Sequence, residues 1–442
     1  MRLAHRLVLA PALLALALGL THCGGPASLR AAREGRFSGL DALVASDLKR
    51  GAIDAGDAVA IARAVGRLEI VWAKDDAGVA KIRALAGCAG ELRHALKRRA
   101  DEGDAVGAEA AIALMNAGIG DASSHARWAM EPAGGPKAHL RPAGARALVT
   151  REDGERRRAL MSDPDQEVRA GALLAAVDAV DPADLEPVLE SARVDPYPKA
   201  RLAAIRAAGA IGGERAATAL KDLWPAATEE ARSAIVAAWA TPATLGAGGR
   251  HELAWATETT NGKPAFAAAL ALVAIGGEAE GSAIGVIARA IEAGPTPARV
   301  HAVEAAPLAI GALGEAITKA EADPDATVAV AAEARLLTSA GEPGGARPDE
   351  RAALITKLEQ AASADDADHA RAARLALAKA RVPAVLPLLD KDAASTDPKL
   401  RAAAAVAFVA MGELGRAAVL AADKDADVRL AAVIALLKAP RR

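Results

Sequence analysis

The fold of this chain is decided by a short stretch that is repeated along the sequence. At residues 163–177 it reads DPDQEVRAGALLAAV, and at residues 423–437 it reads DKDADVRLAAVIALL. Both copies begin with an acidic turn, continue with Val-Arg, and end in a run of small and aliphatic residues. The spacing of Val168, Ala172 and Ala175 places them on one face of a helix. Each copy therefore predicts a turn followed by a helix with one buried face.

The Arg of this stretch, or the residue that replaces it, returns about every 30 residues, a spacing typical of helical-repeat arrays. The positions are Arg169, Arg201, Arg232, Ala265, Arg299, Ala329, Arg371, Arg401 and Arg429. One longer step contains residues 341–350, which we interpret as a loop insertion on the surface. A second helix, such as Leu185–Ser191, precedes each acidic turn. The pattern predicts about eight or nine helix pairs over residues 150–442.

The composition supports a protein made of helices alone. Hydrophobic residues make up 52% of the chain but aromatic residues only 2%, so Ala, Leu and Val dominate the apolar content. Ala and Leu are strong helix formers. Asp suits the N-cap before each helix, and Gly, as at Gly412, suits the residue that closes one. A core of small side chains buries little area per helix pair, so each pair depends on its neighbours.

These residues resemble the HEAT-like repeat family, in the short form found in phycobilisome lyases. The resemblance covers residues 150–442 and implies a right-handed α-solenoid of helix pairs. It implies that the second helix of each pair lines the concave side. It also implies that each signature arginine, meaning Arg169 and its equivalents, binds the carboxylate of a neighbouring turn rather than a ligand. The lyase activity fits poorly with this chain, because its first residues indicate export.

The first 22 residues have the three-part organisation of a secretory signal peptide. Arg2 and Arg6 provide the positive start, and an apolar run follows from Leu7 to Leu20. This run is too short to span a bilayer comfortably, and no other stretch of the sequence is apolar enough. Residues 1–22 are therefore predicted to direct export rather than to remain in the folded protein.

The signal-like segment ends in Leu-Thr-His-Cys at residues 20–23. It resembles the cleavage box of bacterial lipoproteins, although His22 stands where a small residue is usual. The resemblance implies cleavage before Cys23 and lipidation of that cysteine, so that the membrane is a partner through the lipid. Gly24 after the cysteine favours the outer membrane, with the protein facing the periplasm. An ordinary exported protein, cut after Gly19 or near Ala27, is the alternative.

The rest of the N-terminal third falls into three segments. Residues 23–40 are rich in Gly, Ala, Ser and Arg and predict a flexible tether. Residues 41–131 are helical but out of register, as expected of divergent repeats or of an N-terminal cap. Residues 132–149 are rich in Pro and Gly and predict a junction before the array.

No arrangement of residues indicates catalysis or a cofactor. Eight histidines are scattered without metal-ligand spacing, and Cys-x-x-Cys and Gly-x-Ser-x-Gly are absent. The single His251-Glu252 pair is too few for the iron site of deoxyhypusine hydroxylase, an enzyme built of HEAT repeats. Cys88 is expected to be a small buried residue. A net charge of −2 and the lack of a basic, aromatic-interleaved stretch argue against nucleic acid as a partner.

Three tryptophans close in sequence are the first candidates for a partner-binding surface. Trp224 and Trp239 flank the helix around Arg232, and Trp255 follows soon after. Exposed Trp residues often dominate binding interfaces. In an Ala-rich core, however, Trp also fills gaps, and this alternative stays open. The insertion at 341–350 is the second candidate.

The leading functional hypothesis is a non-enzymatic, membrane-anchored scaffold or adaptor that presents its concave surface to an unidentified envelope protein. The alternative is a lyase-like or enzyme-accessory protein that binds a small ligand in the solenoid groove. A deep pocket lined by His, Trp or Tyr197 would favour that alternative. A third possibility is an envelope component that self-associates through its last helix, Leu430–Lys438, because no polar capping repeat follows it.

Overall fold

The computed structural model describes residues 25–276, 280–364 and 367–440, and Cys23 and the predicted signal peptide lie outside these ranges. The described residues form helices and turns without a strand, which confirms the predicted all-α class and the solenoid of helix pairs. Its right-handedness stays a prediction. The helices are α1 Ala27–Arg33, α2 Leu40–Lys49, α3 Ala55–Val71, α4 Asp75–Leu85, α5 Ala89–Asp101, α6 Ala105–Asn116, α7 Ala122–Ala126, α8 Arg141–Arg146, α9 Gly154–Leu160, α10 Gln166–Ala179, α11 Leu185–Val194, α12 Pro198–Ile211, α13 Glu214–Leu223, α14 Glu229–Trp239, α15 Pro242–Thr244, α16 Arg250–Thr259, α17 Gly262–Ile275, α18 Glu280–Glu292, α19 Thr296–Ala305, α20 Gly311–Ala320, α21 Ala326–Thr338, α22 Pro348–Ala362, α23 Ala367–Lys379, α24 Leu386–Ala393, α25 Pro398–Met411, α26 Leu414–Leu420 and α27 Ala426–Leu437.

The chain divides into two compact units. One unit contains the residues up to Trp72 together with those from Leu386 onward, and the other runs from Ala73 to Val385. The predicted array and the predicted 41–131 segment are therefore each split between the two units. The part of the 41–131 segment up to Trp72 belongs to the same unit as the C-terminal repeats. The rest of the segment belongs to the same unit as the central repeats and precedes them in sequence.

In the unit from Ala73 to Val385, the second helices of successive pairs stack on one another. Helix α10 packs on α12, α12 on α14, and α14 on α17. The acidic turns start these helices as predicted: the Asp165 carboxylate accepts the Glu167 N–H at 2.8 Å, and Asp325 accepts the Thr327 N–H at 2.9 Å. Such N-caps satisfy backbone donors that have no partner inside the helix.

Two of the signature arginines, Arg169 and Arg401, link their helix to the next acidic turn in the same way. Arg169 donates from Nε and Nη2 to the two carboxylate oxygens of Asp195, at 2.7 and 2.9 Å. Arg401 binds Asp423 in the same way, at 2.8 and 3.0 Å. Two-pronged bonds between charged groups are stronger and more directional than neutral ones. The structural role predicted for these arginines is confirmed at both positions.

The core is built of small residues, as the composition predicts. Val168, Ala172 and Ala175 are fully buried on one face of α10. A Cβ added at Gly209 would lie 2.6 Å from the Cβ of Ala238, so α12 and α14 approach closely at this point. Cys88 is buried, also as predicted.

The predicted Pro/Gly-rich junction at 132–149 is wrong in its second half. Residues 141–146 form α8, whose residues are largely buried and which packs against α10. Arg141 forms a buried ion pair with Asp163, as a signature arginine does with the next turn. Pro142 lies in the first turn of α8, where its missing N–H costs nothing. This helix therefore belongs to the array.

The predicted tether at 23–40 is wrong from residue 27 onward. Residues 27–33 form α1, and Leu29, Ala31 and Ala32 are buried against α2 and α3. The Ser28 N–H donates to the buried carboxylate of Asp47 at 2.8 Å. The small, polar composition resembled a linker, but its apolar residues share one face and are covered by the next two helices.

The C-terminal repeats are covered by the N-terminal helices within their common unit. Helix α27 packs on α3, and α26 packs on both α2 and α3. Arg429, in the first turn of α27, donates to the fully buried carboxylate of Glu69, in the last turn of α3, at 2.6 Å. The expectation that the last helix is an exposed stacking surface is therefore wrong. Self-association by another surface stays a prediction.

The described helices include none that is both long enough and apolar enough to cross a membrane.

Candidate partner-binding surfaces

The three predicted tryptophans form one aromatic cluster. Trp224 and Trp239 stack with ring centroids 5.4 Å apart, and Trp255 lies edge-on to both rings at 5.6 and 6.4 Å. Trp239 is fully buried, and Trp224 is only 4% exposed. The Trp239 Nε1–H donates to the carbonyl of Ala217 at 3.1 Å. The cluster therefore fills the core between helix pairs.

Glycines let the backbone close around this cluster. Residues 245–249 form a kink between two helices, in which Gly248 has a φ of 107°, a conformation that residues other than Gly rarely adopt. A Cβ added at Gly249 would lie 2.3 Å from the carbonyl oxygen of Trp239. The half-buried Trp255, with Lys221 Nζ 4.8 Å from its ring centroid, is the part of the cluster nearest to solvent. A partner-binding role for the three tryptophans stays a prediction.

A groove that the sequence did not predict lies between α11 and α13, and we call it the Arg201 groove. Its volume is 590 Å³, and it also takes in the turns that precede α12 and α14. Val194 lies on its wall and is 54% exposed, an unusual degree for a large aliphatic residue. Pro196 and Leu223 extend the apolar surface beside it.

Most charged groups of the Arg201 groove are already paired. Arg215 binds both oxygens of Glu186 at 3.1 and 3.2 Å, and Arg193 binds Glu190 at 2.6 Å. Burial raises the pKa of Asp195, but hydrogen bonds from Arg169 and from the Tyr197 N–H outweigh it, and the pKa is lowered. Asp195 is therefore a fixed anion that holds two repeats together, and it is not free to bind a partner.

A second groove, which we call the Tyr197 groove, has a volume of 640 Å³ and is lined by residues of α6, α8 and α10. Tyr197 and Lys199 both donate to Glu167, the lysine at 2.6 Å. The bond to Glu167, burial and the negative charge of Glu167 raise the pKa of Tyr197 to about 12. Tyr197 therefore stays a neutral hydrogen-bond donor at physiological pH.

Two further polar side chains of the Tyr197 groove, Arg83 and His139, are also bonded within the chain. Arg83 donates to both oxygens of Glu109 at 3.0 and 3.1 Å. His139 Nε2 lies 2.8 Å from the carbonyl oxygen of Gly103. The groove thus brings together the Tyr and His that a small-ligand site would need. Their polar atoms, however, are engaged with neighbouring residues.

Among the residues that the structure describes, no three His, Cys, Asp or Glu side chains are grouped to hold a metal ion. Residues 155–240 match the HEAT repeats family, and this range spans the pairs from α9 to α14 and the whole Arg201 groove. A comparison with curated proteins gives no match. The family match over residues 155–240 and the stacked pairs with their Arg–Asp links support a HEAT-like repeat fold.

Proposed function

We propose that this chain is a non-enzymatic scaffold that binds a protein partner, anchored by lipid on Cys23 at the bacterial outer membrane and facing the periplasm. HEAT repeats suggest a protein-binding role. The observation that carries the proposal is the Arg201 groove, in which an exposed Val194 lies beside side chains fixed by ion pairs. An apolar surface with a rigid polar surround is typical of protein-binding patches.

The state of the charged groups supports binding rather than catalysis. Catalytic acids and bases usually have a pKa that is shifted toward the working pH. In the two grooves the pKa values are shifted away from neutral pH: the pKa of Asp195 is lowered and that of Tyr197 is raised to about 12. Both groups keep one protonation state near neutral pH, which favours a role in shape and rigidity.

A small ligand in the Tyr197 groove is the second candidate, because Tyr197 and His139 line the same cavity. A ligand that used them would have to replace the bonds from Tyr197 to Glu167 and from His139 to Gly103. Breaking such bonds without full replacement reduces affinity. This candidate therefore ranks below protein binding.

The segment between the proposed lipid on Cys23 and the first helix would be short. Helix α1 begins at Ala27, so three residues separate Cys23 from the folded unit. An extended chain of this length spans about 10 Å. A lipid on Cys23 would therefore hold α1 and the unit to which it belongs close to the membrane surface.

Replacing Cys23 with Ser is expected to move the protein from the membrane fraction to the soluble fraction. Each buried lipid methylene contributes about 0.8 kcal/mol, so several acyl chains hold a protein firmly. Fractionation of cells with immunoblotting, beside metabolic labelling with a clickable fatty acid, measures both location and lipidation. Cys88→Ser is the matched control, since Cys88 is buried in the fold. Membrane partitioning of the Cys23→Ser form equal to that of the parent would contradict the anchor.

A further inference from the structure

Arg169 and Arg401 share a two-part geometry. The first part is a bond from Nη1 to the carbonyl six residues earlier: Arg169 to Asp163 at 2.9 Å, and Arg401 to Ser395 at 3.0 Å. The second part is the bond from Nε to the carboxylate of the next acidic turn, at 2.7 Å for Arg169 and 2.8 Å for Arg401. That carboxylate belongs to the next acidic turn. It lies six residues before the signature arginine of the next repeat, or before the residue that replaces that arginine.

Arg201 has the first part of this geometry but not the second. Its Nη1 donates to the carbonyl of Asp195 at 2.6 Å. The position that would supply the carboxylate, six residues before Arg232, is Ala226. Within the described residues, Arg201 forms no ion pair through its side chain, and it lines the groove together with Ala226 and Thr228. The groove therefore lies at one of the turns in which the position for the acidic residue is occupied by another residue type.

Arg232 also lacks an acidic partner, but its guanidinium is used differently. Its Nε donates to the carbonyl of Trp224 at 3.2 Å and its Nη2 to that of Pro225 at 3.3 Å. The guanidinium also lies 5.6 Å from the ring centroid of Trp224. Two of its nitrogens thus donate within its own turn, whereas in the described residues Nε and Nη2 of Arg201 make no hydrogen bond.

In the other unit of the chain, one signature arginine binds a carboxylate that does not come from a next acidic turn. No acidic turn follows Arg429 in the described residues, whose last helix is α27. Its Nη1 bonds the carbonyl of Asp423 at 2.9 Å, as the shared geometry requires. Its Nε bonds Glu69, which is 360 residues away in sequence, at 2.6 Å. A carboxylate from a separate segment therefore fits against a signature arginine as well as one from the next turn.

We propose that the Arg201 groove binds an Asp or Glu side chain of a partner protein, in the position that Asp195 takes against Arg169. The inference rests on the proposed scaffold function and gives the chemistry of its partner. The exposed Val194 offers a contact for an apolar residue beside the acidic one. Asp222, exposed at the groove and without an ion pair among the described residues, suits a neighbouring Lys or Arg.

A peptide copied from this chain is a suitable probe. Residues 421–428, AADKDADV, contain Asp423, which binds Arg401, and a lysine directly after it. The acetylated and amidated peptide would be titrated into the purified full chain while the Nε–H signal of Arg201 is followed by NMR with ¹⁵N-labelled arginine. We expect a saturable shift with a Kd of about 1 mM, and binding about tenfold weaker for the Asp423→Asn peptide.

Two variants of the chain make this test specific to Arg201. Arg201→Gln should lose the binding, measured by calorimetric titration because this variant lacks the Arg201 signal, with an unchanged circular dichroism spectrum as the control for folding. Ala226→Asp should also lose peptide binding, because the new carboxylate would form an ion pair with Arg201 within the chain. The midpoint of thermal unfolding of this variant should rise. Equal binding of the two peptides, binding by Arg201→Gln equal to that of the parent, or no saturation at about 10 mM peptide would overturn the proposal.

The outcome separates this inference from the scaffold function on which it rests. If the peptide fails to bind but a partner protein is captured at another surface, the scaffold stands and the acidic specificity of this groove is wrong. If the peptide binds as expected but no partner is captured in cells, the groove chemistry stands and the scaffold function fails.

Discussion

Replacing Arg157 with Met is expected to lower the free energy of unfolding by about 3–5 kcal/mol, as is typical when one partner of a buried ion pair is removed. Arg157 is fully buried, and its Nε donates to the equally buried Asp184 at 2.6 Å. Its Nη1 donates to the carbonyls of Leu148 and Thr150 at 2.7 and 2.8 Å. Met fills much of the same volume but leaves the two carbonyls without this donor and Asp184 without its buried partner.

The measurement is urea unfolding followed by circular dichroism, with the shift in midpoint as the readout. Arg158→Met is the matched control, because Arg158 binds the same Asp184 at 3.0 Å but its side chain is 32% exposed. Partly exposed ion pairs contribute about 0–1 kcal/mol, so the control should shift the midpoint little. Equal shifts for the two variants would contradict the role assigned to Arg157.

Replacing Gly144 with Ala is expected to cost about 3 kcal/mol, at the upper end of what overpacking a core usually costs. A Cβ added at Gly144 would lie 2.1 Å from the backbone nitrogen of Ala129 and 2.4 Å from the carbonyl carbon of Trp128. These are backbone atoms that cannot rotate away as a side chain could. Helix α8 would have to move off its neighbour, and the stacking of α8 on α10 would weaken.

Gly285→Ala is the matched control for this substitution. Gly285 lies inside α18, and the atom nearest to an added Cβ is Arg289 Nη1 at 3.6 Å, an ordinary contact. Ala in a helix interior is favoured over Gly by about 1 kcal/mol, so this variant should become more stable. Thermal unfolding of both variants measures the difference. A Gly144→Ala chain as stable as the parent would contradict the close packing of α8.

The features of the fold that were predicted correctly are local ones. The helix pairs, the Asp caps and the links made by Arg169 and Arg401 follow from residues that lie within about one repeat of each other. Because each repeat contacts mainly its neighbours, a short pattern carries most of the structural information. The family resemblance agrees with the match at 155–240.

The features that were missed depend on contacts that lie outside the repeat pattern. The N-terminal helices pack on the C-terminal repeats through Arg429 and Glu69, which are 360 residues apart. Helix α8 has the composition of a linker, and only its contact with Ala129 and Trp128 explains Gly144. Neither contact leaves a periodic signal in the sequence. Local composition therefore misassigned both ends of the array.

The candidate site was predicted only in part. The sequence placed Trp224, Trp239 and Trp255 near one another, and the structure brings them into contact. Their burial could not be read from sequence, because Trp suits both a core and an interface. The Arg201 groove had a detectable signal, namely Ala226 at a position where other turns carry an acidic residue. Such a gap is easily overlooked, since several repeats depart from the pattern.

Crosslinking in living cells tests the central claim, that this chain binds a protein partner, most directly. A photo-crosslinking amino acid would be placed at Val194 in the Arg201 groove and, separately, at Lys199 in the Tyr197 groove. Met130, which is 66% exposed and lies outside the linings of both grooves, is the control position. Mass spectrometry of the products identifies the captured protein. The scaffold account predicts one dominant envelope protein from a groove position and not from Met130. No protein enriched over the Met130 control at either groove would contradict it.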